Sequence, residues 1–231
     1  MRPLILIILT ILILNSCHYD YEYKICESNT SDLQLKIYND ILNELIEHKF
    51  QNRFLGKDIE RLRMEYASDN PDTAKIRKKT IQLQNQLFGD TARFCIIFLD
   101  TVFKPYFPPW TYLQKDTGLS ASKMKKLITS FSSKEQEVID SLNTMQDRYL
   151  PNDFHLCTSK ILSLRELKNQ EGECGIGIVS FSKLFLNKSK TKGLLYYSFY
   201  CGDLCGRGGL LVIEKINDRW IITPEGWSWI S

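Results

Sequence analysis

From Leu33 to Phe50, apolar residues recur every three or four positions: Leu33, Ile37, Ile41, Leu42, Leu45, Ile46 and Phe50. That spacing lays them along one stripe of a helix, with Ser31 as a plausible N-cap and an end near Gly56. Lys57 to Tyr66 reads as a second helical stretch, broken by Asn70-Pro71-Asp72. Thr73 to Phe88 is a third, carrying Ile76, Leu83 and Leu87 on one side and charges opposite, and Gly89-Asp90 ends it. Between Thr91 and Phe103 the helical period disappears. Crowded aromatic and branched residues there predict a strand buried on both faces, with a core helix as the alternative. Pro105, Pro108 and Pro109 make Lys104 to Trp110 a rigid loop. Two short helices follow, Ser120 to Phe131 and Ser133 to Tyr149, the second with a Ser132/Glu135 capping box.

From Asp153 onward the pattern is that of strands. Ile176 to Leu186 and Gly193 to Cys201 are extended runs separated by the polar turn Asn187 to Lys192. Leu210 to Ile216 and Arg219 to Thr223 flank Asn217-Asp218, which suits a two-residue hairpin turn. Trp227, Trp229 and Ile230 finish as a short strand. The fold expected is α+β: one domain over residues 31–231, with amphipathic helices in 31–90 and a mixed remainder from 91. Its C-terminal antiparallel β-meander, 153–231, is expected to be covered by helices on one face.

The first residues tell a different story. Arg2 precedes an apolar run, Leu4 to Leu14, interrupted by Thr10. The run fits the hydrophobic region of a signal peptide and is shorter than the ~20 residues that cross a bilayer as a helix. Leu14-Asn15-Ser16-Cys17 resembles the lipobox of bacterial lipoproteins, with Asn15 larger and more polar than the residue usual there. The resemblance implies a signal peptide over 1–16, a diacylglycerol thioether on Cys17, cleavage after Ser16, an acylated amine (palmitate or a similar chain) and a tether over 17–30. An ordinary cleaved signal peptide and an uncleaved anchor helix are the other readings. Each buried CH₂ of an acyl chain contributes ~0.8 kcal/mol, so several chains hold a protein essentially permanently on a membrane. Asp20 and Glu22 are similar to the acidic signal that sends some lipoproteins of the Bacteroidota type to the cell surface, or else form a polar spacer. The implied location is the bacterial cell envelope, anchored in the outer membrane on its periplasmic or surface face.

A second resemblance lies at the other end. Phe185-Leu186-Asn187-Lys188, Tyr196-Tyr197-Ser198, Cys201-Gly202 with Leu204-Cys205-Gly206, Glu214-Lys215, Trp220 and Trp229-Ile230-Ser231 are similar to uncharacterised lipoproteins and hypothetical proteins from Bacteroidota. It covers residues 176 to 231 at most and implies origin and a fold unit, with no catalytic residue.

Charged residues at 25% and hydrophobic residues at 43% place the mature chain among globular proteins rather than disordered ones. The net charge of +3 is spread along the chain, and the densest basic runs, Lys75 to Lys79 and Lys123 to Lys126, lie in helices as solvated faces. Nucleic acid is therefore not an expected partner; a protein or small molecule is, of unknown identity, beside the membrane itself.

Setting Cys17 aside leaves Cys26, Cys95, Cys157, Cys174, Cys201 and Cys205. An even number in an exported chain permits up to three disulfides, with the pairing open. Cys201 and Cys205 would stand about 13 Å apart in a straight strand, but face each other if Gly202-Asp203-Leu204 turns. A structural disulfide is the leading reading, free or separately bonded thiols the next. A redox pair would need a helix N-terminus or a close cation, and only Arg207 is adjacent. Cys-x-x-x-Cys without a second ligand pair, and with only an isolated His155-Leu156-Cys157 elsewhere, does not make a metal site. Gly206, Gly208 and Gly209 precede a strand rather than a helix, unlike a phosphate loop.

His18, His48 and His155 are scattered and read as surface histidines, so no catalytic residue is assigned. Glu171-Gly172-Glu173 reads as a solvated turn. Asp100 reads as an exposed residue at a strand end, or else as a buried carboxylate that needs a partner. Tyr196, Tyr197, Phe199, Tyr200, Trp220, Trp227 and Trp229 either fill a core or line a concave sheet face. The functional expectation is a lipid-anchored envelope protein with a non-catalytic binding or interaction domain and no cofactor. The alternative is a ligand-binding or enzymatic pocket on a cystatin-like or nuclear-transport-factor-like fold.

Overall fold

The computed structural model describes residues 26, 28, 30–50, 57–90, 94–102, 119–169, 175–202 and 205–230. Helix α1, Leu33–Glu44, begins one residue later than Ser31 would place it: Asp32 is the N-cap, and its Oδ1 accepts from the N–H groups of Gln34 and Leu35 at 3.0 and 3.2 Å. The carboxylate reaches two orphan donors and carries the negative charge that a helix N-terminus favours. α1 runs directly into a wider π-helical turn, Leu45–Phe50. Helices α2, Lys57–Tyr66, and α3, Thr73–Gly89, follow as the polar–apolar pattern requires, clasped by Lys79 Nζ on Glu65 Oε1 at 2.6 Å.

The buried strand is β1, Ile96–Leu99, with all four residues buried. α4, Leu119–Phe131, and α5, Glu135–Leu142, form a hairpin. α5 is shorter than the stretch to Tyr149 suggested, because Met145 leaves the helix to bridge Ser182. Its capping box does not form either. Ser132 Oγ accepts from Lys134 N–H, and Lys134 itself is the N-cap, so the hydroxyl is spent one residue too early.

The strands β2 (Lys160–Ser163), β3 (Gly175–Phe181), β4 (Phe185–Leu186), β5 (Lys192–Tyr200), β6 (Gly206–Ile216), β7 (Arg219–Ile222) and β8 (Trp227–Ile230) join β1 in one sheet. Its order is β2-β1-β3-β5-β6-β7, with β4 on β5 and β8 on β6. The α+β expectation holds and the C-terminal strands are antiparallel. The sheet as a whole is mixed, because β1 runs parallel to both β2 and β3 and so sits inside the sheet rather than before it. Asn217 and Asp218 take φ of 48° and 65° and close the β6–β7 hairpin, the left-handed pair a two-residue turn requires.

Helices lie on both faces, not one. On the first face Ile37, Ile41, Leu42 and Leu45 of α1 pack with Ile97, Val179, Leu195, Tyr197 and Phe199. On the second, Met124 and Ile128 of α4 and Val138 and Leu142 of α5 pack with Leu194, Tyr196, Leu210 and Val212. The cause is visible in β5: Leu194 to Phe199 is buried without a break, as a strand covered on both sides must be.

Candidate functional site

The aromatic residues that could have lined one concave surface are divided by strand alternation. Tyr197, Phe199 and Trp220 point into the α1 layer, whereas Tyr196 and Trp227 belong to the α4–α5 layer. Phe199 stacks on Phe50 of the π turn at 3.9 Å between centroids. Tyr196, Tyr197, Phe199 and Trp220 are buried in the core, Trp227 and Trp229 are half-buried, and Tyr200 is exposed.

The densest polar arrangement among the described residues is the seam between α1 and β7. Asp40, Glu44 and Glu47 stand at i, i+4 and i+7, on one side of the helix. Asp40 Oδ2 accepts from Trp220 N–H at 3.0 Å and Glu44 Oε2 from Ile222 N–H at 2.9 Å. Those N–H groups point away from β6, so the two carboxylates occupy the positions a ninth strand would take. An unpaired strand edge is a liability, and here side chains guard it.

Glu47 continues the row, only 4% exposed, with Oε2 3.9 Å from Arg219 Nη2. Its Oε1, Arg219 Nε and Thr223 Oγ1 have no hydrogen-bond partner among the described residues. Burial raises all three carboxyl pKa values, and Glu47 is pushed up to about 7 against the countering charge of Arg219. His48 moves down, through burial and the positive charges of Arg219 and Lys49. The π turn fits this setting: Gln84 Nε2 donates to the Glu47 carbonyl at 3.1 Å, and the Arg207 guanidinium donates to the Lys49 carbonyl. Helix-end carbonyls that would otherwise lack donors are thereby satisfied by side chains from α3 and β6.

A carboxyl poised near neutrality makes stability depend on pH. Glu47 holds its proton more tightly in the folded chain than at the ordinary value of 4.5. Its contribution is therefore complete below pH 4.5, falls as pH rises, and is gone above about 7. Glu47→Gln is expected to flatten the stability profile over that window by roughly 2–3 kcal/mol relative to the unsubstituted protein, read from urea melts between pH 4.5 and 8. Parallel profiles would remove Glu47 as the titrating group.

A second polar latch joins α1 to the segment before β2. Asn39 Oδ1 accepts from His155 N–H at 2.7 Å, and Asn43 Nδ2 donates to the His155 carbonyl at 3.3 Å. Two residues on, Cys157 is disulfide-bonded to Cys26, with 5.4 Å between Cα atoms. At the N-cap, Asp32 takes Arg148 Nη2 at 2.8 Å and Tyr149 Oη at 2.9 Å. Burial opposes ionisation of Asp32, but the Leu35 N–H, the Tyr149 hydroxyl and Arg148 hold its pKa below the ordinary value.

Cys201 and Cys205 are bonded, 5.2 Å apart at Cα, across a corner closed by Cys201 N–H on the Cys205 carbonyl at 2.8 Å. Gly202 turns it with φ of 115°, a conformation other residues rarely adopt. Arg207 does not face the sulfurs as a free cation, being bonded to the Lys49 carbonyl. Cys95 is disulfide-bonded as well. Among the described residues no group of three His, Cys, Asp or Glu could hold a metal ion.

Asp100 is buried at 7% exposure, not exposed; it accepts from Val102 N–H at 2.8 Å, turning the chain where β1 ends. Cys17, His18, Cys174 and Glu171-Gly172-Glu173 lie outside the described residues. Lys75, Arg77, Lys78, Lys123, Lys125 and Lys126 are exposed on α3 and α4, as solvated helix faces. The described residues include a shallow groove of about 190 Å³ between α2 and α3 around Arg61 and Gln86, and a larger one of about 380 Å³ between the α4–α5 turn and β4. In the larger, Thr129 and Ser130 hydroxyls donate to the carbonyls of Lys126 and Leu127, and Glu137 is paired with Lys134.

Compared with protein-family models, curated proteins and solved structures, the chain gives no match.

Proposed function

We propose that this chain is a lipid-anchored cell-envelope protein, held through Cys17, whose folded body is a non-catalytic binding or interaction domain of the Bacteroidota lipoprotein type. The observation that carries the reading is the Cys26–Cys157 disulfide. Cys26 lies nine residues after Cys17, so the chain leaving the anchor is stapled almost at once to the body. Disulfides persist where the surroundings are oxidising, which agrees with export behind the Leu4–Leu14 run. Among the described residues no helix is long and apolar enough to cross a membrane.

The cysteine arithmetic makes the reading testable. A Cys17 thiol alkylated by diacylglycerol cannot enter a disulfide. With Cys26–Cys157 and Cys201–Cys205 formed, the partner of Cys95 is then Cys174. Intact mass of membrane-extracted protein, alkylated without reduction, is expected to start at Cys17, to include acyl chains and to lack alkyl adducts. A peptide map should contain a Cys95–Cys174 pair. A Cys17–Cys95 pair, or a mass without lipid, would defeat the anchor.

A further inference from the structure

The carboxylates of α1 keep step with the outer edge of β7. Four helical residues rise about 6 Å and two strand residues about 6.6 Å, so Asp40 meets Trp220 N–H and Glu44 meets Ile222 N–H. Thr223 N–H turns inward to the Val212 carbonyl, which makes residue 224 the next outward position. That residue is Pro224, and a proline has no N–H to give. Glu47, the third carboxylate, stands about 10 Å along the helix from Asp40, level with Thr223 and Pro224.

The row therefore ends on an acid without a donor. Glu47 is buried, and neither its Oε1 nor Arg219 Nε has a hydrogen-bond partner among the described residues. Arg219 Nη2 stands 3.9 Å from Glu47 Oε2, too far for the doubly bonded pair that a guanidinium and a carboxylate make at about 2.8 Å. Of the other charged groups around it, Glu44 adds like charge from the same helix. Asp40 lies two turns back, and His48 and Lys49 are its neighbours in the turn. From the other elements, α3 brings the neutral Gln84 on the Glu47 carbonyl, and β6 brings Arg207, committed to the Lys49 carbonyl.

This acid sits in the π turn, Leu45–Phe50, whose last residue stacks on Phe199. A neutral carboxyl is tolerated there, whereas an ionised one is a buried charge without adequate partners and opposes closure of the turn. We infer that Glu47 is a proton-operated catch: protonated, it lets Leu45–Phe50 seat on the edge of β7, and on losing the proton it drives the turn off into water. Opening carries the carboxylate to solvent, unstacks Phe50 from Phe199 and frees the Glu47 and Lys49 carbonyls from Gln84 and Arg207. Burial pushes the Glu47 carboxyl from its ordinary 4.5 up to about 7 in the closed turn, so the working range lies between those values. Opening is rarest below pH 4.5, grows as pH rises and levels off above about 7.

Native-state hydrogen exchange of the protein, corrected for the intrinsic rate at each pH, tests the catch. Amides of residues 45–50 are expected to exchange through an opening nearly independent of dilute urea, which marks it as local. Its equilibrium constant should rise at least about tenfold from pH 5 to 7.5. Amides of β5 should exchange through urea-dependent global unfolding instead. Glu47→Gln, neutral at every pH, should abolish the rise in the turn. Pro224→Ala, in an exposed turn, supplies the missing N–H and gives the ionised acid the donor that Asp40 and Glu44 have. It should cut the rise at least about threefold. Circular dichroism checks that both variants keep the fold. A turn that opens only with the whole molecule, or equally at both pH values, overturns the inference. So does a rise that persists in Glu47→Gln or is unchanged in Pro224→Ala.

Discussion

Replacing Cys26 by serine is expected to lower the stability of the oxidised protein by about 5 kcal/mol, the largest single loss in the molecule. The bond joins residues 131 apart in sequence, so it removes much of the freedom of the unfolded chain. It spans α1, the α2–α3 hairpin, β1 and the α4–α5 hairpin. Cys201–Cys205 closes a loop of four and is expected to contribute roughly 2 kcal/mol on the same chain-entropy reasoning. Urea denaturation of Cys26→Ser, Cys157→Ser and the double variant checks this. The double variant should lose no more than either single one, because each substitution breaks the same bond. Additive losses would mean that the cysteines act through their packing, for Cys26 is buried in its own right.

The pairing itself was not readable from the chain, and the reason is general: cysteine positions carry no record of which bends bring them together. The elements around it were more legible. α1 declared itself because its apolar period and its burial are the same fact, and Asn217-Asp218 because only a few residues accept positive φ twice in succession. β1 was legible as a run buried on both faces, but its parallel partners were not. β2 is only Lys160–Ser163, and parallel neighbours are chosen by the path of the connecting chain rather than by alternation within the strand. The seam was hidden for a different reason. Asp40, Glu44 and Glu47 look like the solvated side of an amphipathic helix, since carboxylates beside an apolar stripe are ordinary. Their spacing of four and three residues was the available signal, and it becomes meaningful only once β7 is known to lie alongside. Gly208 and Gly209 were read only against a phosphate loop. Their actual role is to admit the backbone and indole of β8, which a sequence cannot announce.

Trp220 and Trp229 look equivalent in the sequence, and the second large effect is expected to separate them. Trp220 is 0% exposed, the largest side chain wholly inside the α1 layer, and it sits on the strand whose edge Asp40 guards. Trp220→Ala should cost about 3–5 kcal/mol, the loss of a buried aromatic together with the cavity left between α1 and β7. The indole Nε1 finds no acceptor among the described residues, so Trp220→Phe sheds an unsatisfied donor as it sheds volume and should lose much less than the alanine variant. Trp229 is only partly buried and keeps its Nε1 on Tyr196 Oη, so Trp229→Ala should cost roughly 1–2 kcal/mol. Urea melts of the three variants would be read against one another. An equal loss at both tryptophans would mean that β8 is as deeply built into the core as β7. The guarded strand β7 would then have no structural privilege over β8. The expected gap says the opposite: α1 and β7 form one unit through Trp220 and the carboxylates, and β8 is an edge laid on afterwards.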